Sequence, residues 1–198
     1  MPCKMHKILI LPNLAGEPTL VGLYAKNLQN EIPQNTNGIP SQEQTWNLVE
    51  SHPITLPLSD GLVPLFMEFS KKGIAFDSLY FVRGPGSFMA LKLIYLFAKT
   101  LEITQNIKLY ATHAFHFNKN SPIKAYGNYY FVKTEDEKTL TSLNQDSQQI
   151  LEEEAAQLGI TLQRFHTLPQ KTPFALPDIL NLELFSHSLK PLYLLPPV

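Results

Sequence analysis

Three groups of residues have types and spacings from which chemistry could be built. His113 and His116, three apart, would share one helix face, and neutral imidazoles in that geometry can ligate a metal ion. No nearby Asp, Glu or Cys supplies a third ligand, and the neighbours Ala114, Phe115 and Phe117 are apolar, so the pair reads as core-edge packing. Gly84-Pro85-Gly86-Ser87 lies between an apolar run and a helical pattern, where backbone N–H groups can hold an anion. A phosphate loop needs Lys-Ser/Thr after its second glycine, but Phe88-Met89 follow here, and the third glycine of a dinucleotide loop is missing. This segment reads as a tight turn with Ser87 as a helix cap. The run Glu152-Glu153-Glu154 spans too much helical arc to converge on one ion and reads as a solvated face. Cys3 has no local base to activate it, and Lys71-Lys72 suit a helix C-terminus electrostatically. These side chains assemble no acid–base pair, triad or metal set.

The elements that must position these residues follow from apolar periodicity. Residues 7–11 (KILIL) predict a buried strand, and 19–26 (TLVGLYAK) a second one paired with it as an antiparallel hairpin. Residues 29–43 read as a loop and 44–50 as a third strand. A helix is predicted over 59–72, capped by Ser59 or Asp60 and ended by Gly73, with Pro64 tolerated only near its first turn. Residues 79–82 predict a strand, 87–101 a helix that is apolar almost all round, and 107–111 another strand. Residues 123–126 and 129–133 flank Gly127-Asn128 as a second hairpin. A helix at 147–158, a strand at 161–167 and a last helix at 176–189, with Pro177 in its first turn, complete the pattern. The result is an α/β order repeated twice, the second copy shorter.

Composition limits the rest. The chain has 198 residues, with Lys+Arg 16 against Asp+Glu 17; charged residues make up 17% and apolar ones 44%. Apolar content is ordinary, but the charged share falls below the usual value of about 25%. The aromatic share of 11% argues against disorder. A net charge of −1 lacks the basic excess of a free-standing nucleic-acid binder. The single Cys3 allows no intrachain disulfide. With neither a signal-like start nor a long uncharged apolar stretch, a cytoplasmic protein without a membrane span is expected. The helices at 59–72 and 87–101 carry more apolar arc than one core requires, so each needs a second cover.

The stretch FDSLYFVRGPGSFMALKLIYLFAKTL (76–101) resembles the signature of the TsaB family, also called YeaZ, an apolar strand followed by G-R-G-P-G-S-F-T-G-L-R-I-G and a helix. Arg83, Gly84, Pro85, Gly86, Ser87 and Phe88 match; Met89, Ala90 and Lys92 depart from the usual Thr, Gly and Arg. Leu62-Val63-Pro64-Leu65 resembles the family's L-L-P helix, Ala125 to Tyr130 resembles its D-A-R-x-G-E-V-Y hairpin with the Asp and Arg lost, and Pro191 to Leu194 resembles its P-x-Y-L ending. The resemblance implies an RNase H-like α/β fold of the actin/Hsp70/sugar kinase class in two lobes, 1–117 carrying the partner-binding helices and a reduced 118–198, whose last helix packs back on the first lobe. It also implies a non-catalytic scaffold that pairs with the catalytic subunit TsaD, alongside TsaE, to make threonylcarbamoyladenosine at position 37 of tRNAs reading ANN codons. On that footing tRNA is reached only through the complex, no cofactor is held by this chain alone, the partner junction can accept ATP or ADP, and a homodimer can form in isolation. The alternative is a glycoprotease-like peptidase or small ATPase of the same fold class. The expected partner-facing residues are Leu62, Val63, Phe66, Phe69, Leu91, Ile94, Tyr95 and Ala98, with Arg83 to Phe88 as the motif turn. Where the family's first strand leads into Asp-Thr, this chain has Pro12-Asn13, and Pro12 offers neither a metal ligand nor an N–H to a phosphate.

Overall fold

The computed structural model describes residues 5–12, 18–26, 45–134 and 157–194. A five-stranded sheet is built from β1 (Met5–Leu11), β2 (Thr19–Lys26), β3 (Trp46–Ile54), β4 (Ala75–Val82) and β5 (Lys108–Thr112) in the order β3-β2-β1-β4-β5. β2 runs antiparallel to both neighbours, while β1, β4 and β5 are parallel. This mixed α/β arrangement, with a β1–β2 hairpin leading into parallel crossovers, is of the RNase H-like type. The continuous apolar run of β1 places it at the centre, where Ile8, Leu9, Ile10 and Leu11 are all buried.

Two-residue alternation sorts the side chains into two cores. Ile8, Ile10, Val21, Leu23, Leu79, Phe81, Leu109 and Ala111 point to one face. There they meet α1 (Leu58–Lys71) and α2 (Phe88–Gln105) through Leu62, Phe66, Phe69, Ile94 and Ala98. Leu9, Leu11, Tyr24, Tyr80 and Val82 point to the other face. That face is covered by a three-stranded antiparallel sheet, β6 (Ile123–Lys124), β7 (Tyr129–Lys133) and β8 (Ile160–Arg164), through Ile123, Phe131, Ile160 and Leu162. A short 3-10 turn, Ala114–Phe117, links the two sheets.

Most predicted elements are present, with shifted ends. β2 and β7 have the expected bounds, and the turn between β6 and β7 closes on Gly127-Asn128 with the Tyr129 N–H donating to the Tyr126 carbonyl at 2.8 Å. α1 ends as expected: Gly73 has φ +70, the Gly73 N–H reaches the Ser70 carbonyl at 3.0 Å, and the Ile74 N–H reaches that of Phe69 at 2.9 Å. Its start differs. Pro57 precedes the first turn, neither Ser59 nor Asp60 caps it, and the Ser59 hydroxyl donates to Asp60 instead. Pro64 lies inside the helix, past the first turn, on the exposed side, where water can satisfy the carbonyl it leaves open. Ser87 precedes α2 without a side-chain cap bond, and α2 continues a turn beyond residue 101 to an Asn106 with φ 54. Asparagine tolerates that left-handed exit, so no glycine marked it.

The helix expected over 176–189 does not form. The segment runs across the second face as an extended strap, with one 3-10 turn at Leu182–Leu184 capped by the Asn181 side chain, which accepts from the Glu183 N–H at 3.0 Å. The strap pairs with both outer strands of the sheet. At β3, the Leu48 N–H donates to Asp178 and the Leu180 N–H to Trp46, each at 2.8 Å. At β5, Ala111 and Ser186 exchange two bonds of 2.9 Å. A helix would satisfy its own backbone and leave edge groups open on both sides, so the sheet's demand overrides the local helical spacing. The predicted helix at 147–158 with its glutamates, the loop at 29–43 and Cys3 lie outside the described residues, except for the last turn of that helix.

Candidate functional site

The motif turn joins β4 to α2 and ties together three distant parts of the chain. The Arg83 N–H donates to the Thr112 carbonyl at 2.9 Å, and the Ala114 N–H to that of Gly84 at 2.8 Å, so the ends of β4 and β5 are locked side by side. The Leu192 N–H donates to the Arg83 carbonyl at 2.7 Å, and the buried Arg83 guanidinium donates from Nη1 to the Lys190 carbonyl at 3.1 Å. The Phe88 and Tyr193 rings lie 4.5 Å apart. The G-P-G-S-F and P-x-Y-L segments, more than a hundred residues apart in sequence, are thus one contact. Its placement of Arg83 is structural: the side chain organises the chain's end.

The turn launches α2 against α1, and the eight residues expected to face a partner divide sharply. Leu62, Phe66, Phe69, Leu91, Ile94 and Ala98 are buried in the chain's own core, with Phe66 seated 4.7 Å from Phe97 and 5.5 Å from Phe69. Tyr95 is half-buried, and Val63 is 50% exposed. The six core residues are therefore no surface contacts in this structure. The apolar residues that do face outward are Val63 and Met67 on α1 and Met89, Leu96 and Ile103 on α2, the last 81% exposed. Met89, half-buried Leu93, Leu96, Thr100 and Ile103 follow a four–three–four–three spacing, which makes a single stripe along α2. That spacing is visible in the sequence and was the signal for the outward face. A groove between the starts of the two helices continues this surface, lined by Leu56, Leu58, Met89 and Leu93 and closed by Phe131 of β7.

His113 and His116 stack face to face, centroids 3.9 Å apart and planes 25° apart. Burial, then the neighbouring His116, Lys133 and Arg83, push His113 down to about 3, and burial lowers His116 as well. Among the described residues no group of three His, Cys, Asp or Glu could hold a metal ion. A histidine held neutral in the fold costs stability only when the unfolded chain can protonate, so the loss begins below about pH 6.5 and grows toward pH 3. Between pH 7 and pH 4.5 the protein is expected to lose about 2–3 kcal/mol through this group. Urea melts at the two pH values should show a smaller loss in His113→Phe; an unchanged pH dependence would refute the assignment.

Lys7, inside the first apolar run, is a buried group the spacing did not single out. Its ammonium donates to the Ser78 hydroxyl at 2.8 Å, lies 3.4 Å from the Asp77 carboxylate and sits 4.5 Å over the Trp46 ring. Burial pulls the Lys7 ammonium below the ordinary lysine value despite Asp77. Burial also opposes ionisation of Asp77, but the Ser78 hydroxyl and Lys7 together hold its carboxyl below the usual range. Ser78 is 2% exposed, so the triplet is a structural pin between β1 and β4.

At the end of β1, where the fold class would place an acidic ligand for a metal–nucleotide, Pro12 supplies neither carboxylate nor N–H, so this position does not fit such a group. The fold defines the class, an RNase H-like α/β protein with two outward helices. No protein-family profile and no curated protein sequence matches the chain. Among solved structures it is similar to YeaZ from Pseudomonas aeruginosa, at 15% identity and TM-score 0.40, over 66% of this chain and 61% of that one. It is likewise similar to a protein described as resembling the peptidase YeaZ from Pseudomonas aeruginosa, at 16% identity, TM-score 0.40 and the same coverage. The chain thus spans about three-fifths of the length of these structures. No described helix is long and apolar enough to cross a membrane.

Proposed function

We propose that this chain is a non-catalytic, cytoplasmic scaffold subunit that docks a TsaD-type catalytic partner through the outward faces of α1 and α2, serving threonylcarbamoylation of adenosine 37 in tRNAs reading ANN codons. The observation that carries this reading is the apolar stripe of Met89, Leu96 and Ile103, with Val63 and Met67 beside it, on the two helices that flank the G-P-G-S-F turn. Exposed apolar residues set along a helix stripe mark a surface for another protein. TsaE joins through the same complex, and ATP or ADP would be held at the partner junction. No observation among the described residues favours the peptidase or small-ATPase alternative.

Co-expression with TsaD from the same organism tests the proposal. The wild-type chain is expected to co-purify. The double variant Val63→Asp/Leu96→Asp should weaken pairing about a hundredfold or more, since a central interface residue contributes about 2 kcal/mol and 1.4 kcal/mol is a factor of ten. Its own melting temperature should stay close to wild type, because both side chains are half-exposed. Absence of a complex with and without nucleotide, or unchanged pairing by the variant, would sink the reading.

A further inference from the structure

Two of the chain's four methionines stand on the outward face of the helix pair: Met67 on α1 is 55% exposed and Met89 on α2 is 59% exposed. Met67 lies one turn after Val63, and Met89 opens the stripe that runs through Leu93 and Leu96. Met89 also lines the groove between the helix starts, with Leu56, Leu58 and Leu93. Met67 adjoins Phe66, whose ring is 4.7 Å from that of Phe97. It therefore stands beside the middle of α2, about 12 Å along the axis from Met89 at 1.5 Å per residue. The two thioethers bracket the face instead of sharing one spot. A flexible thioether suits docking because it fills irregular gaps. It is also open to a two-electron oxidant, whereas the other outward residues of the face, Val63, Leu96 and Ile103, are hydrocarbons that such an oxidant leaves intact.

We propose that Met67 and Met89 form a reversible oxidation site that switches docking off, an inference that rests on the docking role given above to α1 and α2. The oxidant is a peroxide. Its O–O bond breaks, one oxygen forms an S–O bond at Sδ, and the other leaves as water. The sulfur loses two electrons and the peroxide gains them. The product, methionine sulfoxide, carries a polar oxygen that accepts hydrogen bonds. An apolar partner surface offers it no donor, so docking would bury an unsatisfied acceptor. A methionine sulfoxide reductase returns the thioether: two thiols are oxidised to a disulfide and the oxygen leaves as water. A docked partner covers both side chains, so the complex should oxidise more slowly than the free chain.

In the test only this chain meets the oxidant. The full chain is treated with hydrogen peroxide, catalase is added, and the TsaD-type partner from the same organism is then mixed in. Peptide mass spectrometry should find one added oxygen at Met67 and one at Met89. Pairing should weaken at least about tenfold, the effect of one buried acceptor left without a donor. The Tm of the treated chain should stay close to that of the untreated one, because both side chains lie outside the core. Methionine sulfoxide reductase should restore the untreated affinity. The double variant Met67→Leu/Met89→Leu, compared with its own affinity before treatment, should lose nothing on treatment, although Cys3 and Met5 remain to be oxidised. Undiminished pairing by the oxidised wild type, absence of added oxygen at both methionines, or an equal loss in the double variant would overturn this proposal and leave the docking role standing. Failure of the untreated chain to pair would overturn both.

Discussion

A chain cut before Phe174 is expected to lose its cooperative unfolding transition. The missing part supplies Leu180, Leu192 and Leu194 to the second core, all nearly fully buried, and packs Phe174, Leu176, Leu182 and Phe185 around them. Three buried leucines alone account for about 6 kcal/mol at ~2 kcal/mol each, comparable with the whole stability of many domains at about 5–15 kcal/mol. Truncation also opens the outer edges of β3 and β5 and strips Arg83 of the Lys190 carbonyl. The expected product is an expanded species that binds a hydrophobic dye and keeps much of its far-ultraviolet dichroism. A truncated protein that melts cooperatively within a few degrees of the full chain would show that the strap is only a covering.

Gly84→Ala should be strongly destabilising for a change of a single methyl group. Gly84 has φ +140, a conformation that L side chains rarely adopt, and a Cβ there would stand 2.8 Å from the Leu192 carbonyl oxygen and 3.0 Å from the Leu192 Cβ. The tail cannot simply withdraw, because the Leu192 N–H is bonded to the Arg83 carbonyl next door at 2.7 Å. Backbone strain plus a broken tail contact predicts a loss of about 3 kcal/mol, or roughly 6–12 °C in Tm for a chain of this size. Gly127→Ala is the comparison: φ is +48 but no atom lies within 4 Å, so only about 1 kcal/mol of local strain is expected. Equal effects of the two substitutions in thermal melts would refute the role given to tail docking.

The sheet was legible in the sequence because burial writes itself as pattern. The Ile8-Leu9-Ile10-Leu11 run is apolar without interruption because β1 has neighbours on both sides and cores on both faces, and TLVGLYAK has the bounds of β2 because turn residues or polar stretches flank it. The strap was not legible. Its leucines at 176, 180 and 184, each four apart, mimic helical spacing, while what decides its shape is the hydrogen-bonding demand of Trp46, Leu48 and Ala111, remote in sequence. The candidate face was half legible. Excess apolar arc on two helices was visible, but which residues faced out depended on how Phe66 and Phe97 pack together, and that assigned Phe66 and Ile94 to the inside and Leu96 to the outside.

The strap also sets an order of events during synthesis. β1 to β5 are complete by residue 112, but both edges of their sheet and part of the cover over its second face wait for residues 176–194. At translation rates of about 5–20 residues per second, the more than sixty residues between take roughly 3–12 s to make. During that interval the nascent sheet offers two open edges and an incompletely covered apolar face to whatever is near, so this chain should depend on a ribosome-associated chaperone until residues 176–194 emerge and close it.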